Sequence, residues 1–503
     1  MDFASILEES ANRHPDLLAV ATPERSLTYA ELVDQVSRLA GAFVERGLAP
    51  GDRVVLLLPN GLDLVLSLLA LARAELIAVP LLSQYASPQV DYAVRQSEAR
   101  VLITTPALLA KVTPETRSVL DAVVTTDPLD HSECFHDWFA HSPVAPVRGL
   151  RDPISLILYT SGTTRRPKGV AHTQRRLAQR VDRIISVLGL TGADSTLLLP
   201  DAGRPVRLLG QLLALLRVGG STTLLPSNTP VPFWAEYTRR APTYLFTLPG
   251  EGYDLLDHPA ARSADHSALR FWITGGDRAS NALHQLVANV VNRPLLEMCG
   301  MSECGFYAIN PPAGLIKVGS IGLPLPGYQV RLVDDHDREV PQGKVGEVMV
   351  RSPDVMVGYW NDTLLTHRTL IDGWILTGDL ARTDEDGYLW FVGRAKEMIC
   401  RGGWKVAPAM VEEFLLAHPA VNAAVVVGIS DPRSGQVPFA FYTVRPGQSD
   451  PGFENLSAWL TSRLEQGSVP VGFARIEQWP LTAQGKLDRA RLAWMAEAGG
   501  TTL

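Results

Sequence analysis

The sequence predicts an α/β fold in two domains: a large N-terminal domain of helix-covered, mainly parallel sheets with a small β region, and a small C-terminal α/β domain. First, apolar strand-like runs alternate with segments of helical spacing, which is typical of parallel sheets covered by helices. Second, the length of 503 residues exceeds what one hydrophobic core usually supports. Third, a loop-rich pattern with alternating strands after residue 319 indicates the added β region.

The predicted elements follow that alternation in order. A helix is predicted over residues 26–46, because Thr28 precedes Glu31 by three places and apolar positions then recur at helical spacing. A strand at 53–58 and a helix at 61–73 come next. The further strands of the large domain are predicted at 76–81, 101–104, 123–125, 154–158, 222–225, 244–247, 271–274, 329–333 and 348–350, with a helix at 233–240. The small domain is predicted to contain helices at 409–417 and 453–465 and strands at 421–427 and 439–444.

Three segments outside these elements are given no chemistry. Residues 131–150, with His131 and His136, are expected to form a surface connection. The aromatic and glycine-containing segment 356–360 is expected to serve packing. The arginines of the helix after residue 172 are most simply a solvated helix face, and they are Arg175, Arg176, Arg180 and Arg183.

The composition excludes several classes of protein. Hydrophobic residues at 46% and charged residues at 20% describe an ordinary globular protein. A net charge of −7 argues against nucleic-acid binding through bulk electrostatics. The longest apolar stretch, residues 62–80, is interrupted by charges, so a core helix followed by a strand is expected rather than a membrane span. No signal peptide is evident and the four cysteines show no paired metal spacing, so a cytoplasmic protein with reduced thiols is expected.

The most informative segment is residues 159–170, Tyr-Thr-Ser-Gly-Thr-Thr-Arg-Arg-Pro-Lys-Gly-Val, which directly follows a predicted strand. Glycines let the backbone approach a ligand, hydroxyl and main-chain N–H groups donate hydrogen bonds, and a lysine supplies positive charge. The combination is typical of a phosphate-binding loop, with a plain strand-to-helix turn as the alternative. It is not the common P-loop, in which Gly, four residues and then Gly-Lys-Ser/Thr follow one another. The residues predicted to bind phosphate are Ser161, Gly162, Thr163, Thr164 and Lys168.

This segment resembles the signature loop of the acyl-adenylate-forming superfamily, which contains acyl-CoA synthetases, luciferases and the adenylation domains of peptide synthetases. The family usually has Gly where this chain has Arg165, so the geometry or mobility of the loop is expected to differ. The resemblance implies ATP and Mg²⁺ as cofactors, together with coenzyme A or a carrier-protein phosphopantetheine. It also implies that Thr160, beside the loop, takes part in nucleotide and metal binding.

Two further motifs of the large domain extend the resemblance. A glycine pair after the strand at 271–274 lies where the family's backbone passes close to the adenine and the acyl group. Residues 299–303, Cys-Gly-Met-Ser-Glu, resemble the family's Tyr-Gly-x-Thr-Glu, in which the Tyr stacks on adenine. Glu303 is the family's Mg²⁺-binding position, and a hard cation prefers carboxylate oxygen. The nucleotide-binding residues implied here are Gly275, Gly276, Gly300, Met301 and Ser302.

The acyl site is less constrained. Related synthetases usually carry an aromatic-His pair near the substrate carboxylate after the strand ending at residue 199, and this chain has no His there. In amino-acid-activating relatives an Asp near this point binds the substrate's amino group. Asp201 can have that role, although Pro-Asp-Ala-Gly is typical of a turn, which we favour. An apolar pocket for an aromatic or medium-chain acid is predicted from Trp272, Met298, Cys299, Met301 and Phe306.

The motifs that follow match the second half of the family. Asp379, in the segment Trp-Ile-Leu-Thr-Gly-Asp, is the position that accepts both ribose hydroxyls, and a carboxylate offers two oxygens to a vicinal diol. Arg394, in Gly-Arg-x-Lys, would reach the ribose or the phosphates, and Lys396 lies at the hinge position. The resemblance thus implies a large domain at 1–393, a hinge at 394–397 and a mobile small domain at 398–503.

The small domain carries the remaining predicted site residues. Gly402, Gly403 and Trp404 lie where the family opens a tunnel for the pantetheine arm. Residues 480–489 match the family's C-terminal loop Pro-x-Thr-x-x-Gly-Lys-x-x-Arg, which makes Lys486 the catalytic lysine. A surface lysine in a glycine-containing turn is the alternative interpretation of that residue.

Together these residues predict a two-step reaction. A carboxylic acid is ionised at pH 7 and needs no general base, so the protein must supply positive charge and alignment at the α-phosphorus. Lys168, Lys486 and Mg²⁺ on Glu303 would do so, releasing pyrophosphate and leaving an acyl-adenylate. A thiol then attacks the activated carbonyl after the small domain has rotated about Lys396.

Three functional hypotheses stay open at this point. The preferred one is an acid–thiol ligase that makes an acyl-CoA from a small-molecule acid, as a monomer or homodimer. The second is acyl transfer to a carrier protein, expected in trans because no carrier domain follows residue 503. The third is a nucleotide-binding pseudoenzyme in which Arg165, Cys299 and the missing substrate-site His mark decay, and the joint presence of the catalytic and nucleotide-binding positions argues against it.

Overall fold

The computed structural model describes residues 3–130, 132–147, 149, 152–160, 167–401, 404–482 and 486–499. Its contacts divide the chain into two compact units, one comprising Met1–Val330 and Val350–Ile375 and the other comprising Arg331–Met349 and Leu376–Leu503. The sequence-based boundary with a hinge at 394–397 stays a prediction. Within the described ranges, no helix is both long enough and apolar enough to cross a bilayer.

The helices lie mostly in the first unit and belong to the layers that cover its sheets. They are α1 (Phe3–Arg13), α2 (Tyr29–Glu45), α3 (Leu62–Arg73), α4 (Ser87–Gln96), α5 (Pro106–Leu109), α6 (Pro114–Arg117), α7 (Gln174–Leu188), α8 (Pro205–Arg207), α9 (Ala214–Val218), α10 (Pro230–Arg240), α11 (Pro249–Asp257), α12 (Pro259–Ser263), α13 (Asn281–Val291), α14 (Thr363–Thr369), α15 (Pro408–Leu416), α16 (Gly452–Thr461) and α17 (Arg489–Glu497). A π-helical segment at Leu208–Leu213 joins α8 to α9.

The strands alternate with these helices along the chain. They are β1 (Leu18–Ala21), β2 (Ser26–Thr28), β3 (Arg53–Leu57), β4 (Ile77–Pro80), β5 (Val101–Thr104), β6 (Ala122–Thr125), β7 (Glu133–Cys134), β8 (Ile154–Thr160), β9 (Lys168–Thr173), β10 (Ser195–Leu198), β11 (Ser221–Leu224), β12 (Tyr244–Thr247), β13 (Phe271–Gly275), β14 (Leu295–Met301), β15 (Gly305–Ile309), β16 (Leu323–Pro324), β17 (Gln329–Val333), β18 (Gly346–Arg351), β19 (Gly358–Tyr359), β20 (Leu370–Ile371), β21 (Trp374–Thr383), β22 (Leu389–Arg394), β23 (Ile399–Arg401), β24 (Trp404–Val406), β25 (Val421–Asp431), β26 (Gly435–Val444) and β27 (Gly472–Arg475).

Two large, mainly parallel sheets form the first unit, as the alternation predicted. One has the order β16-β15-β14-β13-β12-β10-β11-β1-β2 and is parallel from β14 to β1. The other has the order β19-β9-β8-β4-β3-β5-β6-β7, and its strands from β8 to β7 are parallel. Each sheet ends in antiparallel strands at one side, where β14 turns into β15 and β8 turns into β9. These two hairpins carry the candidate site.

The predicted helix starts and apolar faces are confirmed in the first unit. Thr28 and Glu31 form a reciprocal capping box at the start of α2, because each side chain accepts a hydrogen bond from the other residue's main-chain N–H. Helix α3 begins and ends within a residue of its prediction. Its core position explains why its stretch is so apolar: every residue of the helix except Asp63 is buried.

Two predictions about exposed segments are wrong. The segment 131–150 is not merely a surface connection, since Phe135 and Trp138 are fully buried and Trp138 packs edge-on against Phe43. The arginines of α7 are not a solvated face either. Arg180 is buried, and Arg176 and Arg183 are largely covered; Arg175 alone of the four is exposed, paired with Asp152. A buried guanidinium needs partners for its N–H groups, and three main-chain carbonyls accept hydrogen bonds from Arg180.

The second unit contains a small α/β layer structure built on one long hairpin. Strands β25 and β26 pair antiparallel, β27 pairs parallel to β26, and the sheet order is β24-β23-β26-β25. One face of this sheet forms a core with α15 and α16, and the other face forms a core with α17. A further sheet has the order β17-β18-β21-β20, with β22 added on β21. It corresponds to the β region that the alternating pattern predicted.

Candidate active site

The phosphate loop connects two antiparallel strands. Strand β8 pairs with β9 in a hairpin whose last described pair is Thr160 with Lys168. The predicted phosphate-binding residues Ser161, Gly162, Thr163 and Thr164 lie outside the described residues, as does Arg165. Lys168 is half-buried, and its ammonium lies 5.5 Å from the centroid of the Tyr359 ring. The hydroxyl of Thr160 and the ammonium of Lys168 therefore lie on the last described pair of this hairpin.

The turn of the second hairpin carries Glu303. Strands β14 and β15 pair antiparallel with a bulge after Cys299, and a Cβ on Gly300 would lie 2.8 Å from the Cα of Phe306. Glycine is therefore required at this position by the close approach of the two strands. Glu303 is buried although it lies in a turn, and its Oε1 accepts a hydrogen bond of 2.7 Å from the hydroxyl of Tyr359.

Arg180 of α7 holds the main chain of this turn. Its Nη1 donates to the carbonyl of Ser302 at 3.2 Å and its Nη2 donates to the carbonyl of Glu303 at 3.1 Å. Its Nε donates to the carbonyl of Asp354 at 2.8 Å. The turn is also bound from the other side, where the hydroxyl of Tyr328 donates to the carbonyl of Cys304 at 2.9 Å. Hydrogen bonds from Arg180 and Tyr328 thus fix the main chain of the turn that carries Glu303.

Next to Arg180 lies His172, which is fully buried on β9. Burial holds the pKa of His172 well below its usual value, and the guanidinium groups of Arg180 and Arg176 lower it further. The imidazole is consequently neutral at pH 7. A second positive charge beside the guanidinium of Arg180 is avoided in this way.

Lys168 and Glu303 meet at Tyr359. Strand β19 pairs antiparallel with β9, so that Tyr359 lies opposite Val170. The side chain of Tyr359 contacts Lys168 through its ring and Glu303 through its hydroxyl. Burial, and then the charge of Glu303, hold the pKa of Tyr359 above its ordinary value, so the hydroxyl stays protonated and donates a hydrogen bond to the carboxylate. The sequence assigned this aromatic segment to packing alone.

The donors fit a Mg²⁺ ion that shares its coordination with a phosphate ligand. Among the described residues, no group of three or more His, Cys, Asp or Glu side chains is arranged to hold a metal. Mg²⁺ does not require such a group, because it usually binds one or two carboxylates together with substrate phosphates and water. Glu303 supplies the carboxylate, and the hydroxyl residue Thr160 stands at the end of β8.

The glycine pair and the predicted acyl pocket have partly structural explanations. A Cβ on Gly275 would lie 2.6 Å from the carbonyl oxygen of Met298, and Gly276 has a φ of +83°. Met298 is buried on β14, while Cys299, Met301 and Phe306 are half-buried around the hairpin. Sequence reasoning attributed the glycines to ligand approach. The structure shows that strand packing and backbone conformation already require them.

Trp272 corrects the predicted acyl pocket. Its side chain is fully buried in the core between the β13 face and helices α10 to α13, and its Nε1 donates to Thr247 Oγ1 at 2.9 Å. It faces the helix layer, because side chains alternate along a strand and its neighbour Ile273 points the other way. A residue with this environment stabilises the core and does not line an open pocket.

Asp201 lies in a turn, as favoured from the sequence. It has a φ of +71°, and its carbonyl accepts a hydrogen bond from the N–H of Arg204 at 2.9 Å. Its carboxylate forms an ion pair with Arg204 and accepts a hydrogen bond from Gln84. These partners leave the amino-group-binding role of Asp201 without structural support.

In the second unit, Asp379 and Arg394 form a cross-strand pair. The two residues lie opposite each other on β21 and β22, and Arg394 Nε lies 2.6 Å from Asp379 Oδ1. Asp379 is buried, and its N–H donates to Thr377 Oγ1 at 3.0 Å. The pair presents acceptor and donor groups at one place, which suits a ligand that carries both hydroxyl and phosphate groups.

The remaining predicted residues of this unit lie at exposed positions or outside the described part. Lys396 is exposed in the short 3₁₀ helix at Ala395–Glu397. Lys486 is exposed in a loop closed by hydrogen bonds of Thr482 N–H to the Lys486 carbonyl and of Asp488 N–H to the Pro480 carbonyl. Gly402 and Gly403 lie outside the described residues, and of Trp404 only the backbone, in β24, is described.

Comparison with known proteins decides the family. The family model described as AMP-binding enzyme matches residues 7–360, and the AMP-binding enzyme C-terminal domain matches residues 410–486. This chain belongs to the AMP-binding enzyme family. The resemblance expected from the loop, hairpin and lysine motifs is thereby confirmed, and the chain is an AMP-forming acid–thiol ligase.

Relatives and solved structures of this family resemble the whole chain. A feruloyl-CoA synthase of an Amycolatopsis species is 34% identical, over 95% of each chain. An oxalate–CoA ligase of Arabidopsis thaliana is 31% identical, over 98% of each chain. The crystal structure of the anthranilate CoA ligase AuaEII in complex with anthranoyl-AMP has a TM-score of 0.90 and 27% identity, covering 99% of this chain and 98% of that one. The predicted α/β fold class is confirmed by this likeness.

Two residues of this AMP-binding enzyme were missed by the sequence analysis. Arg180 holds the Glu303 turn through main-chain carbonyls, and Tyr359 contacts both Glu303 and Lys168. Helical spacing offered a signal for Arg180, because it lies one turn from the apolar Leu177 and Ile184. Tyr359 offered none, since its two partners are distant in sequence.

Proposed function

We propose that this AMP-binding enzyme activates an aromatic carboxylic acid with ATP and transfers the acyl group to coenzyme A. The observation that carries the proposal is the meeting of the Lys168 ammonium and the Glu303 carboxylate at Tyr359, beside the open end of the phosphate hairpin. A cation and a carboxylate at one place suit a triphosphate with its bound metal. Cytoplasmic location and a monomeric or homodimeric state belong to the same proposal.

The first half-reaction is assigned to residues of both units. Lys168 and the segment 160–164 would bind the β- and γ-phosphates, and Glu303 with Thr160 would hold Mg²⁺. The metal neutralises triphosphate charge when bound. Asp379 would accept the ribose hydroxyls, and Arg394, which pairs with it at 2.6 Å, would orient that carboxylate and reach the phosphates. Gly275, Gly276 and the residues Gly300, Met301 and Ser302 would line the nucleotide.

Lys486 would complete this step from the second unit. An ammonium group at the attacking carboxylate reduces the repulsion between two anions and stabilises charge in the transition state. Its loop has a defined base, because Thr482 and Asp488 close it with main-chain hydrogen bonds. The second half-reaction would then use Gly402, Gly403 and Trp404 for the pantetheine arm, with Lys396 as the hinge.

The aromatic acid class is proposed from two kinds of support. The first is the apolar and sulfur-containing character of Met298, Cys299, Met301 and Phe306 on the β14–β15 hairpin, all near Glu303 in sequence. The second is similarity to a feruloyl-CoA synthase and to a structure of an anthranilate CoA ligase. Apolar pockets favour acids of matching size by only about 1–3 kcal/mol per methylene, so several aryl acids are expected to react.

The experiment is pyrophosphate exchange with a panel of aryl, fatty, dicarboxylic and amino acids, followed by addition of coenzyme A to the acids that exchange. We expect exchange with hydroxycinnamic or benzoic acids and formation of the aryl-CoA thioester. Exchange restricted to oxalate or long-chain acids would contradict the aromatic class. Exchange without thioester formation, followed by acyl transfer to a holo carrier protein, would favour the carrier alternative, which a 31% identical fatty acid–acyl-carrier-protein ligase of Streptomyces coeruleorubidus also represents.

A further inference from the structure

Tyr359 lies at a place where two charged groups of opposite sign approach the same side chain. Its hydroxyl donates to Glu303 Oε1 at 2.7 Å, and the Lys168 ammonium lies 5.5 Å from its ring centroid. The ring is buried, with 8% of the residue exposed. A cation at this distance from an aromatic ring is attracted by the ring's negative face. One side chain therefore contacts both charges, through two different parts.

The position of Tyr359 is set by its own strand and not by the charged groups. The N–H of Val357 donates to the carbonyl of Ala171 at 2.8 Å, and the N–H of Trp360 donates to the carbonyl of Gly169 at 2.7 Å. The N–H of Tyr359 donates to Thr366 Oγ1 at 2.8 Å. The first two bonds tie the segment around β19 to β9, the strand that begins with Lys168, and the third ties Tyr359 to α14. The tyrosine is consequently held before any ligand binds.

Without such a residue, the two charges would be expected to pair directly. Opposite charges attract more strongly where water is excluded, and Glu303 is buried. In the described part of the chain, the ammonium of Lys168 and the carboxylate of Glu303 each contact Tyr359 instead. A direct pair would occupy the carboxylate with an ammonium and the ammonium with a carboxylate. Neither group would then be available to a metal–triphosphate.

We propose that Tyr359 is a positioning residue for the metal–nucleotide. Its hydroxyl occupies Glu303 Oε1 and so orients the other carboxylate oxygen for the cation, while its ring holds the Lys168 ammonium for the phosphates. By holding both, it keeps the two charges from neutralising each other before the metal–nucleotide binds. The inference rests on the proposed roles of Lys168 and Glu303, and it goes beyond them by assigning a role to the residue that contacts both.

The test compares Tyr359→Phe and Tyr359→Leu with the wild-type protein. The first readout is binding of Mn²⁺ in the presence of ATP, measured by electron paramagnetic resonance without any acid substrate. We expect Tyr359→Phe to weaken Mn²⁺ binding by about tenfold or more, as loss of a partner of a metal-bound carboxylate does. We expect Tyr359→Leu also to weaken binding of ATP in EDTA, because the ring is lost, whereas Tyr359→Phe retains that binding.

Tyr29→Phe is the matched control. It removes a buried tyrosine hydroxyl that donates to the carbonyl of Gly220 at 2.7 Å, outside the Glu303 turn. We expect its Mn²⁺ affinity to stay within about twofold of the wild-type value while its melting temperature falls, because this hydrogen bond contributes to stability and fixes none of the site residues. In pyrophosphate exchange, Tyr359→Phe should raise KM for ATP and leave KM for the acid unchanged.

Three results would overturn the proposal, and they are distinguishable from failure of the proposed function. Wild-type Mn²⁺ affinity in Tyr359→Phe, or an equal loss in Tyr29→Phe, would refute the positioning role alone. Wild-type Mn²⁺ affinity in Glu303→Gln would refute the metal role of Glu303 and the positioning role with it. Pyrophosphate exchange across the acid panel reports the acid-activating function separately from both.

Discussion

At the scale of single residues, the candidate site depends on buried polar groups whose partners are main-chain atoms. The guanidinium of Arg180 donates three hydrogen bonds, and the acceptor of each is a main-chain carbonyl oxygen. His172 stays neutral beside it. Asp379 is held by Arg394 and Thr377. Burying any of these side chains without a partner would cost free energy, so the surrounding main chain must keep its hydrogen-bonding groups in place.

The depressed pKa of His172 makes stability depend on pH. The folded protein keeps the imidazole neutral, whereas the unfolded chain binds a proton below about pH 6.5. Protonation of His172 therefore does not affect the free energy of unfolding above about pH 6.5. Below that pH the free energy of unfolding decreases as the pH falls towards the depressed pKa of His172 in the folded protein. We expect the melting temperature to fall between pH 7.5 and 5.5, and to fall less in His172→Gln. Equal pH dependence in both proteins would contradict this assignment.

At the scale of elements, α7 is joined to the β14–β15 hairpin by Arg180. The helix begins directly after β9, the strand that starts with Lys168. The buried guanidinium of Arg180 donates hydrogen bonds to the main-chain carbonyls of Ser302 and Glu303. The helix that follows the phosphate hairpin is thereby linked to the turn of Glu303 through one side chain.

Removing that link should affect both stability and nucleotide binding. Arg180→Met leaves buried carbonyls without donors, each at a cost of about 1–3 kcal/mol, so a clear fall in melting temperature is expected. KM for ATP in pyrophosphate exchange should rise, because the Glu303 turn is no longer fixed. Arg175→Met is the control on the same helix, since its solvent-exposed pair with Asp152 contributes little to stability. Identical behaviour of the two variants would count against the role of Arg180.

At the scale of the whole molecule, the proposed site residues belong to two compact units. Thr160, Lys168 and Glu303 lie in the first unit, and Asp379, Arg394 and Lys486 lie in the second. The sequence-based hinge at Lys396 and the domain alternation that it implies stay predictions.

Lys486→Ala should separate the two half-reactions. Loss of the ammonium removes charge stabilisation from acyl-adenylate formation, so a decrease in pyrophosphate exchange of about 10²- to 10³-fold is expected. Thioester formation from a supplied acyl-adenylate should change far less. Lys344→Ala, an exposed loop lysine of the same unit, serves as the control. Loss of thioester formation with normal exchange would assign Lys486 to the other half-reaction.

Much of this protein was determined by the sequence itself. The α/β class, the capped helix α2, the core helix α3 and the family motifs follow from local patterns, because hydrophobic periodicity, capping residues and loop composition act over a few neighbouring residues. The motif residues Lys168, Glu303, Asp379, Arg394 and Lys486 were named from their resemblance to family motifs, and their roles stay predictions.

Tertiary structure alone decided which charges are buried and what they bind. Arg180 was expected to be solvated, but it is buried and donates hydrogen bonds to a turn that is distant in sequence. Trp272 was expected to line the acyl pocket, but it lies in the hydrophobic core. Tyr359 looked like packing, and it joins Glu303 to Lys168. The physical reason is the same in each case: burial and hydrogen-bond partners depend on residues that are brought together only when the sheets and helices pack.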